Sequence, residues 1–261
     1  MLADQFDAFL FDLDGTLYHG SEIFPHVRES LCRLRSAGKI VHFVTNDPRS
    51  TRGEVTKRLS EMGIEAREQE VFPSGWVTAR YLSETRVRST YVVGSPGLVY
   101  EIRQAGVEVV EADQPEAVVV GGDEHTCYEH LLKATRFILG GAKFVATNPD
   151  GSYPTPEGPI PGAGAIVAAV QAATGEAPDA IVGKPNPKLF ELALEGLDTK
   201  SERVAMIGDN PWTDIVGAHR VGIKGILVKA PPLSSEDSEV PTPDAIIPDL
   251  SFLFDPHHTS L

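Results

Sequence analysis

Carboxylates, hydroxyls, an amide and a lysine gather in four short clusters along this 261-residue chain. The first is Asp12-Leu13-Asp14-Gly15-Thr16, with carboxylates at i and i+2 leading into a turn at Gly15. The second is Thr45-Asn46-Asp47, which offers a hydroxyl and an amide. The third is Lys184, in Val182-Gly183-Lys184-Pro185. The fourth is Gly208-Asp209-Asn210-Pro211-Trp212-Thr213-Asp214, with Asp214 near the first turn of a helix. Taken singly, each has an ordinary reading. Asp-Gly is a common turn, Asp and Asn cap helices, a lone lysine is usually a surface residue, and Asp214 suits a helix dipole. The ordinary readings do not explain the set, in which each cluster directly follows an apolar, strand-like run. In open α/β sheets, ligands bind at the C-terminal ends of strands, and all four clusters fall there.

If Asp12, Asp14, Asp209 and Asp214 converge, four negative charges share one pocket. Two like charges ~4 Å apart repel by about 4 kcal/mol at an effective dielectric of about 20. Such a cluster stays ionised only around a cation. An all-oxygen donor set without histidine or cysteine favours Mg²⁺, which keeps several waters for substrate oxygens. Phosphate-monoester hydrolysis is a reaction that needs this combination, because uncatalysed it is among the slowest known. A carboxylate nucleophile splits the reaction into two displacements through an acyl phosphate. The first expels an alkoxide and needs an acid; the second activates water and needs a base. A second carboxylate two residues from the nucleophile can serve both. Thr45, Asn46, Lys184 and the metal would neutralise the phosphoryl oxygens.

The elements that must hold these clusters are legible as alternating short apolar runs and helix-period segments, the pattern of an α/β fold with a mainly parallel sheet. Strands are expected at Ala8 to Leu13 and Ile40 to Val44, with helices at Pro25 to Ala37, Thr51 to Met62 and Trp76 to Glu84. The rhythm restarts at Thr90. Strands Tyr91 to Val93, Val107 to Val110, Ala117 to Val120 and Phe144 to Ala146 alternate with helices Gly97 to Ala105 and Tyr128 to Leu139. A Gly/Pro-rich stretch, Asn148 to Gly164, leads into a helix at Ala165 to Ala173. From Ile181 the first pattern resumes, with strands Ile181-Val182, Val204 to Ile207 and Gly225 to Val228 and helices Pro187 to Glu195 and Trp212 to Val221. This predicts a discontinuous core, residues 1–79 and 179–261, with residues 80–178 inserted as a second α/β domain. Pro231 to Pro243 reads as a polar loop, and the tail after Phe254, with His257 and His258, as frayed.

A formal net charge of −14 repels a nucleic-acid backbone, so an anionic substrate must be drawn in locally by a metal or a few placed cations. The N-terminus lacks a basic region and meets charge too early for a signal peptide, and no apolar run reaches the ~18–20 residues of a membrane span. Two distant cysteines, Cys32 and Cys127, read as reduced thiols, and the expected setting is cytoplasmic.

The four clusters together resemble the signature motifs of the haloacid dehalogenase (HAD) superfamily, over nearly the whole chain. Asp12–Thr16, DLDGT, is similar to the first motif, which implies Asp12 as nucleophile and Asp14 as general acid/base. Thr45 matches the hydroxyl of the second motif, Lys184 the lysine of the third, and GDNPWTD the acidic pair of the fourth. The resemblance implies a Rossmann-like core and Mg²⁺ held by Asp12, the backbone carbonyl of Asp14, and Asp209, with Asp214 acting through water or by orienting the others. An insertion between the second and third motifs resembles the larger, C2-type cap. Ala146-Thr147-Asn148-Pro149-Asp150 followed by Pro161-Gly162-Ala163-Gly164 is similar to the NagD-like and p-nitrophenylphosphatase-like branch. That branch implies an aspartyl-phosphate phosphatase of a small phosphorylated metabolite, and it allows a homodimer through the cap. The rivals are a phosphotransferase or mutase of the same superfamily, a dehalogenase, and a non-catalytic phosphate-binding regulator. Asp14 speaks against the regulator and the dehalogenase, which need no acid/base there.

One position departs from the branch. Asp47 stands where a second asparagine is usual, and it either caps the following helix rather than facing phosphate or marks an altered substrate preference. Tyr153 is the candidate for contact with the substrate leaving group. Arg49 and Arg52 either draw anions towards the site or mark an exposed helix start. Gly162-Ala163-Gly164 reads as close helix packing rather than a dinucleotide fingerprint, and His125 and His130, five apart, as a solvated loop and helix start rather than metal ligands.

Overall fold

Short apolar runs buried on both faces form the strands of two separate parallel sheets. The structure is a computed structural model that describes residues 1–153, 155, 158–228 and 241–257. The chain divides into two compact units, one of Met1–Thr45, Thr56–Phe72 and Lys184–Leu261, the other of Asn46–Val55 and Pro73–Gly183.

The first unit is built on strands β1 (Ala8–Phe11), β2 (Ile40–Thr45), β3 (Val71–Pro73), β4 (Val204–Gly208), β5 (Lys224–Val228) and β6 (Ala245–Ile247), ordered β6-β5-β4-β1-β2-β3. From β6 across to β2 the strands run parallel. Central strands β1 and β4 are buried along their whole length, as a parallel sheet covered on both faces requires. Register places Phe11 opposite both Ile207 and Phe43, so β1, β4 and β2 end side by side.

The second unit has a five-stranded sheet of its own. Its order is Ala180–Ile181, Lys143–Ala146, Ala117–Val120, Ser89–Val93, Glu108–Val109, all parallel. Tyr91, Val118, Val120 and Phe144 on one face pack with Ala134 and Ile138 of helix Tyr128–Leu139 and Val170 of helix Ala163–Thr174.

The expected α/β fold with a mainly parallel core sheet is the one the chain forms. Two strands of the core sheet, Val71–Pro73 and Ala245–Ile247, were not foreseen; each is three residues long, too short to show a period, and each lies at a sheet edge. The helix expected over Trp212 to Val221 begins instead as a wide π-type turn, Pro211–Ile215, and becomes α-helical only at Val216–Arg220. Asn210 starts that turn, its side-chain oxygen accepting the Trp212 N–H at 2.9 Å and the Thr213 N–H at 3.4 Å. The glycines at 162 and 164 do serve close packing. A Cβ at Gly164 would sit 2.1 Å from the Pro149 carbonyl oxygen, and one at Gly162 would sit 2.4 Å from that of Asp150.

Of the loop expected over Pro231 to Pro243, residues 231–240 lie outside the described residues, as does His258. Cys32 and Cys127 are exposed and form no disulfide. Among the described residues no helix is long and apolar enough to cross a membrane.

Candidate active site

Beyond Phe11 the chain stays attached to the sheet for one more residue, with the Asp12 N–H donating to the Ile207 carbonyl at 2.9 Å. It then turns sharply. The Leu13 carbonyl accepts from the Leu17 N–H at 2.8 Å, and the Gly15 N–H donates to the Tyr18 carbonyl at 2.8 Å. Gly15 sits at φ +86°, and a Cβ there would lie 2.3 Å from Asp209 Oδ2. Glycine is therefore required twice, once for the left-handed backbone and once for the close approach of Asp209. The Thr16 hydroxyl, buried, donates to Asp209 Oδ1 at 3.0 Å and fixes that carboxylate at the end of β4.

Lys184 closes the group. It is 2 % exposed, and its Nζ donates to Asp12 Oδ1 and to Asp214 Oδ1, each at 2.6 Å. Asp214 is 0 % exposed, and its Oδ2 accepts the Asn210 N–H at 3.1 Å. A Cβ on Gly208 would lie 2.1 Å from Asp214 Oδ2, so this carboxylate too depends on a glycine beside it. One carboxylate oxygen each from Asp12, Asp209 and Asp214 lie within 4.8 Å of one another.

The charges do not balance within this cluster. Burial pushes the Asp209 carboxyl up to about 6, and the charge of Asp12 adds to the effect. Burial likewise pushes Asp214 up to about 7, against the attraction of Lys184. For Lys184, burial alone would lower the ammonium. The charges of Asp12 and Asp214 and their hydrogen bonds more than offset it and hold the group above the ordinary lysine range. Three carboxylates thus face one ammonium, and two of them resist ionisation because the protein alone leaves their charge uncompensated. Oxygen-only donors at this spacing, with surplus negative charge, fit a hard divalent cation.

Of the residues singled out from sequence, Asp12, Lys184, Asp209 and Asp214 come together here. Asp14 lies in the same turn, exposed, its backbone bridged to Tyr18. Thr45 ends β2 in the same unit and is 4 % exposed. Asn46 and Tyr153 belong to the second unit. There Asn46 Nδ2 donates to Asp150 Oδ2 at 2.7 Å, and Asn148 Nδ2 donates to the same oxygen at 2.7 Å. The Arg49 guanidinium lies over the Tyr153 ring, 3.9 Å from its centre, and donates to the Tyr153 hydroxyl.

Asp47 does not cap the following helix. Thr51 does so, its hydroxyl accepting the Glu54 N–H at 3.1 Å while Glu54 Oε2 accepts the Thr51 N–H at 2.8 Å. Asp47 instead accepts the Arg49 N–H at 3.0 Å, Arg49 Nε at 3.3 Å and the Ser50 hydroxyl at 2.8 Å. Three partners were missed from sequence. Thr16 was visible within DLDGT, and Asp150 within the string that carried the family resemblance, but nothing local marked Asn210 as the donor to Asp214.

Comparison with known proteins bears on this arrangement. Residues 9–108 match the family model described as haloacid dehalogenase-like hydrolase, and residues 181–253 match a second, HAD-hydrolase-like model. An acid sugar phosphatase of Staphylococcus haemolyticus is 38% identical over 227 residues, 86% of either chain. The chain belongs to the haloacid dehalogenase-like hydrolases. Within that family it is an enzyme of the phosphatase branch. A 4-nitrophenylphosphatase from Thermotoga maritima superposes with a TM-score of 0.88 at 34% identity, covering 96% of this chain and 97% of that one. A glycerol phosphate phosphatase from Mycobacterium tuberculosis, solved in complex with magnesium, gives a TM-score of 0.88 at 33% identity, covering 97% of this chain and 77% of that one.

Proposed function

We propose that this HAD hydrolase is a Mg²⁺-dependent phosphatase of a small phosphomonoester metabolite, a sugar or polyol phosphate, acting through an aspartyl-phosphate on Asp12. The observation that carries the reading is the buried Lys184 ammonium shared between Asp12 and Asp214, with Asp209 beside them. The substrate class is supported by the acid sugar phosphatase and glycerol phosphate phosphatase among the relatives.

Asp12, Asp209 and the backbone carbonyl of Asp14 would hold Mg²⁺, with Asp214 orienting the set. When bound, the ion supplies positive charge to the phosphoryl oxygens. Lys184 donates to Oδ1 of Asp12, and the other carboxylate oxygen would be the one to attack phosphorus. Attack by Asp12 forms an oxygen–phosphorus bond as the ester oxygen leaves, and Asp14, protonated, gives that oxygen its proton. Asp14, now a carboxylate, takes a proton from water. The resulting hydroxide attacks phosphorus, releases phosphate and restores Asp12. Asp14 is suited to the shuttle because it is exposed. Thr45 and Asn46 would bind the phosphoryl oxygens. Residues 80–178 are read as the cap, whose loop around Tyr153 supplies contacts to the leaving group.

A phosphate-release screen over sugar phosphates, nucleoside monophosphates, glycerol phosphate and pyridoxal phosphate tests this, run with Mg²⁺, with EDTA, and with Asp12→Asn. Turnover of at least one substrate is expected with Mg²⁺ only, and none in Asp12→Asn. Undiminished turnover in Asp12→Asn would overturn the covalent mechanism, and equal rates in EDTA would remove the metal.

A further inference from the structure

Two residues of the fourth cluster hold each other at both ends of a turn. The Asp214 N–H donates to the Asn210 carbonyl at 2.9 Å, and Asp214 Oδ2 accepts the Asn210 N–H at 3.1 Å. The other oxygen of Asp214, Oδ1, accepts Lys184 Nζ at 2.6 Å, and Lys184 in turn reaches Asp12. A chain of hydrogen bonds therefore runs from Asn210, exposed at the surface, through Asp214 at 0 % exposure to Lys184 and the proposed nucleophile. All four residues belong to the first compact unit.

The side chain of Asn210 gives this chain of bonds a fixed origin. The first N–H groups of a helical turn have no partner within the turn, and Pro211 has none to offer. The side-chain oxygen of Asn210 accepts the next two, from Trp212 at 2.9 Å and from Thr213 at 3.4 Å. The turn it opens is the wide π type, Pro211–Ile215, with α-helix only from Val216. Turns of this type are rare and recur at functional sites. Without the side-chain oxygen the Trp212 and Thr213 N–H groups must turn to water, and the peptide that carries the Asn210 N–H is freed to turn with them. An ammonium at 2 % exposure keeps its place only through its partners. A shift of about 1 Å in such a group can cost about 100-fold in rate.

We propose that Asn210 is a positioning residue: its side-chain oxygen closes the turn that aims its own N–H at Asp214, and through Asp214 it sets the Lys184 ammonium on Asp12. The consequence for turnover rests on the phosphatase reading above; the placement of Lys184 does not. A residue that only capped the turn would make the same side-chain bonds, and the two roles part in what Asn210→Ala does. Loss of a cap alone lowers the melting temperature by a few degrees and leaves the site as it was. Loss of a positioning residue also moves Lys184.

Two variants test this: Asn210→Ala, which lacks the oxygen, and Asn210→Ser, a comparable cap that restores one. In crystals grown with Mg²⁺, Lys184 Nζ of Asn210→Ala should lie more than about 0.5 Å from its wild-type place, the tolerance within which a productive constellation is held. Asn210→Ser should return it. With p-nitrophenyl phosphate at saturating Mg²⁺, kcat of Asn210→Ala should fall by about ten- to hundredfold with KM little changed. Asn210→Ser should recover most of that loss. An unmoved Lys184 in Asn210→Ala overturns the inference, and so does an unchanged kcat where the wild type is active. If the wild type turns over no substrate of the wider screen, the phosphatase reading has failed, and the position of Lys184 alone decides this inference.

Discussion

Lys184 Nζ lies 2.6 Å from Asp12 Oδ1 although 172 positions separate the two residues in the chain. Both are buried, and the same ammonium reaches Asp214 at 2.6 Å. A charge placed this deep is tolerated only with its partners present, so the pair makes the fold and the chemistry interdependent.

Replacing Lys184 with methionine leaves Asp12 and Asp214 without their cation. Breaking a buried pair on one side costs about 3–5 kcal/mol, and urea unfolding in EDTA at pH 8 should show a loss of that order with phosphatase activity abolished. The loss should shrink at pH 5, because Asp214, already pushed up to about 7, then takes up a proton and one of the two orphaned charges disappears.

The raised carboxyls set a pH dependence for the metal. In the metal-free fold Asp209 and Asp214 titrate at about 6 and about 7, well above an unfolded aspartate. A folded value above the unfolded one contributes stability at low pH, and that contribution is lost as pH rises through about 4 towards 7. Mg²⁺ must displace those protons. The melting temperature should therefore rise on adding Mg²⁺ at pH 8 and respond little at pH 5, as differential scanning calorimetry can measure. An equal rise at both pH values would mean that the ion binds elsewhere.

Gly15→Ala should damage the site more than the fold. The left-handed backbone at φ +86° and the 2.3 Å approach to Asp209 Oδ2 both oppose a methyl group. Strain at such a position costs more than about 1 kcal/mol. The larger effect expected is a displaced Asp209, read as Mg²⁺ affinity weakened at least tenfold by titration calorimetry.

Asp14→Asn removes the acid/base while leaving Asp12 and Lys184 in place. General acid–base catalysis is worth about 10²–10⁴-fold, and turnover should fall within that range. With p-nitrophenyl phosphate, whose leaving group needs little protonation, the first step should survive and the second should stall. Stopped-flow absorbance should then show a burst of one equivalent of nitrophenolate. A uniform slow release without a burst would place Asp14 in the first step only. Because Asp14 is exposed, unfolding free energy should change by less than about 0.5 kcal/mol.

Some elements were readable residue by residue. Ala117–Val120 and Tyr128–Leu139 form where expected, one a continuous apolar run buried on both faces, the other three turns of amphipathic helix. Local pattern suffices when it is strong. Val71–Pro73 and Ala245–Ile247 escaped because a three-residue strand is stabilised by the neighbour it pairs with rather than by its own period. Of the two readings of Asp47, the helix cap failed for a related reason. Several side chains near a helix start can satisfy its N–H groups, and Thr51 with Glu54 took that role while Asp47 turned to Arg49.

By itself the sequence determined the α/β class, the four clusters and the family, because apolar periodicity and motif order are local or nearly so, but it misplaced the strand before Lys184, since Ala180–Ile181 joins the second unit's sheet rather than the core sheet. Which carboxylate meets which cation was decided only by tertiary structure. The parallel register of β1 with β2 and β4 brings the chain ends of distant strands together, and Lys184 then settles between Asp12 and Asp214 rather than in solvent. Asn46 likewise meets Asp150 across 104 positions of chain. Such pairings depend on long-range packing and on the desolvation that burial imposes, and neither is encoded in any short window of residues.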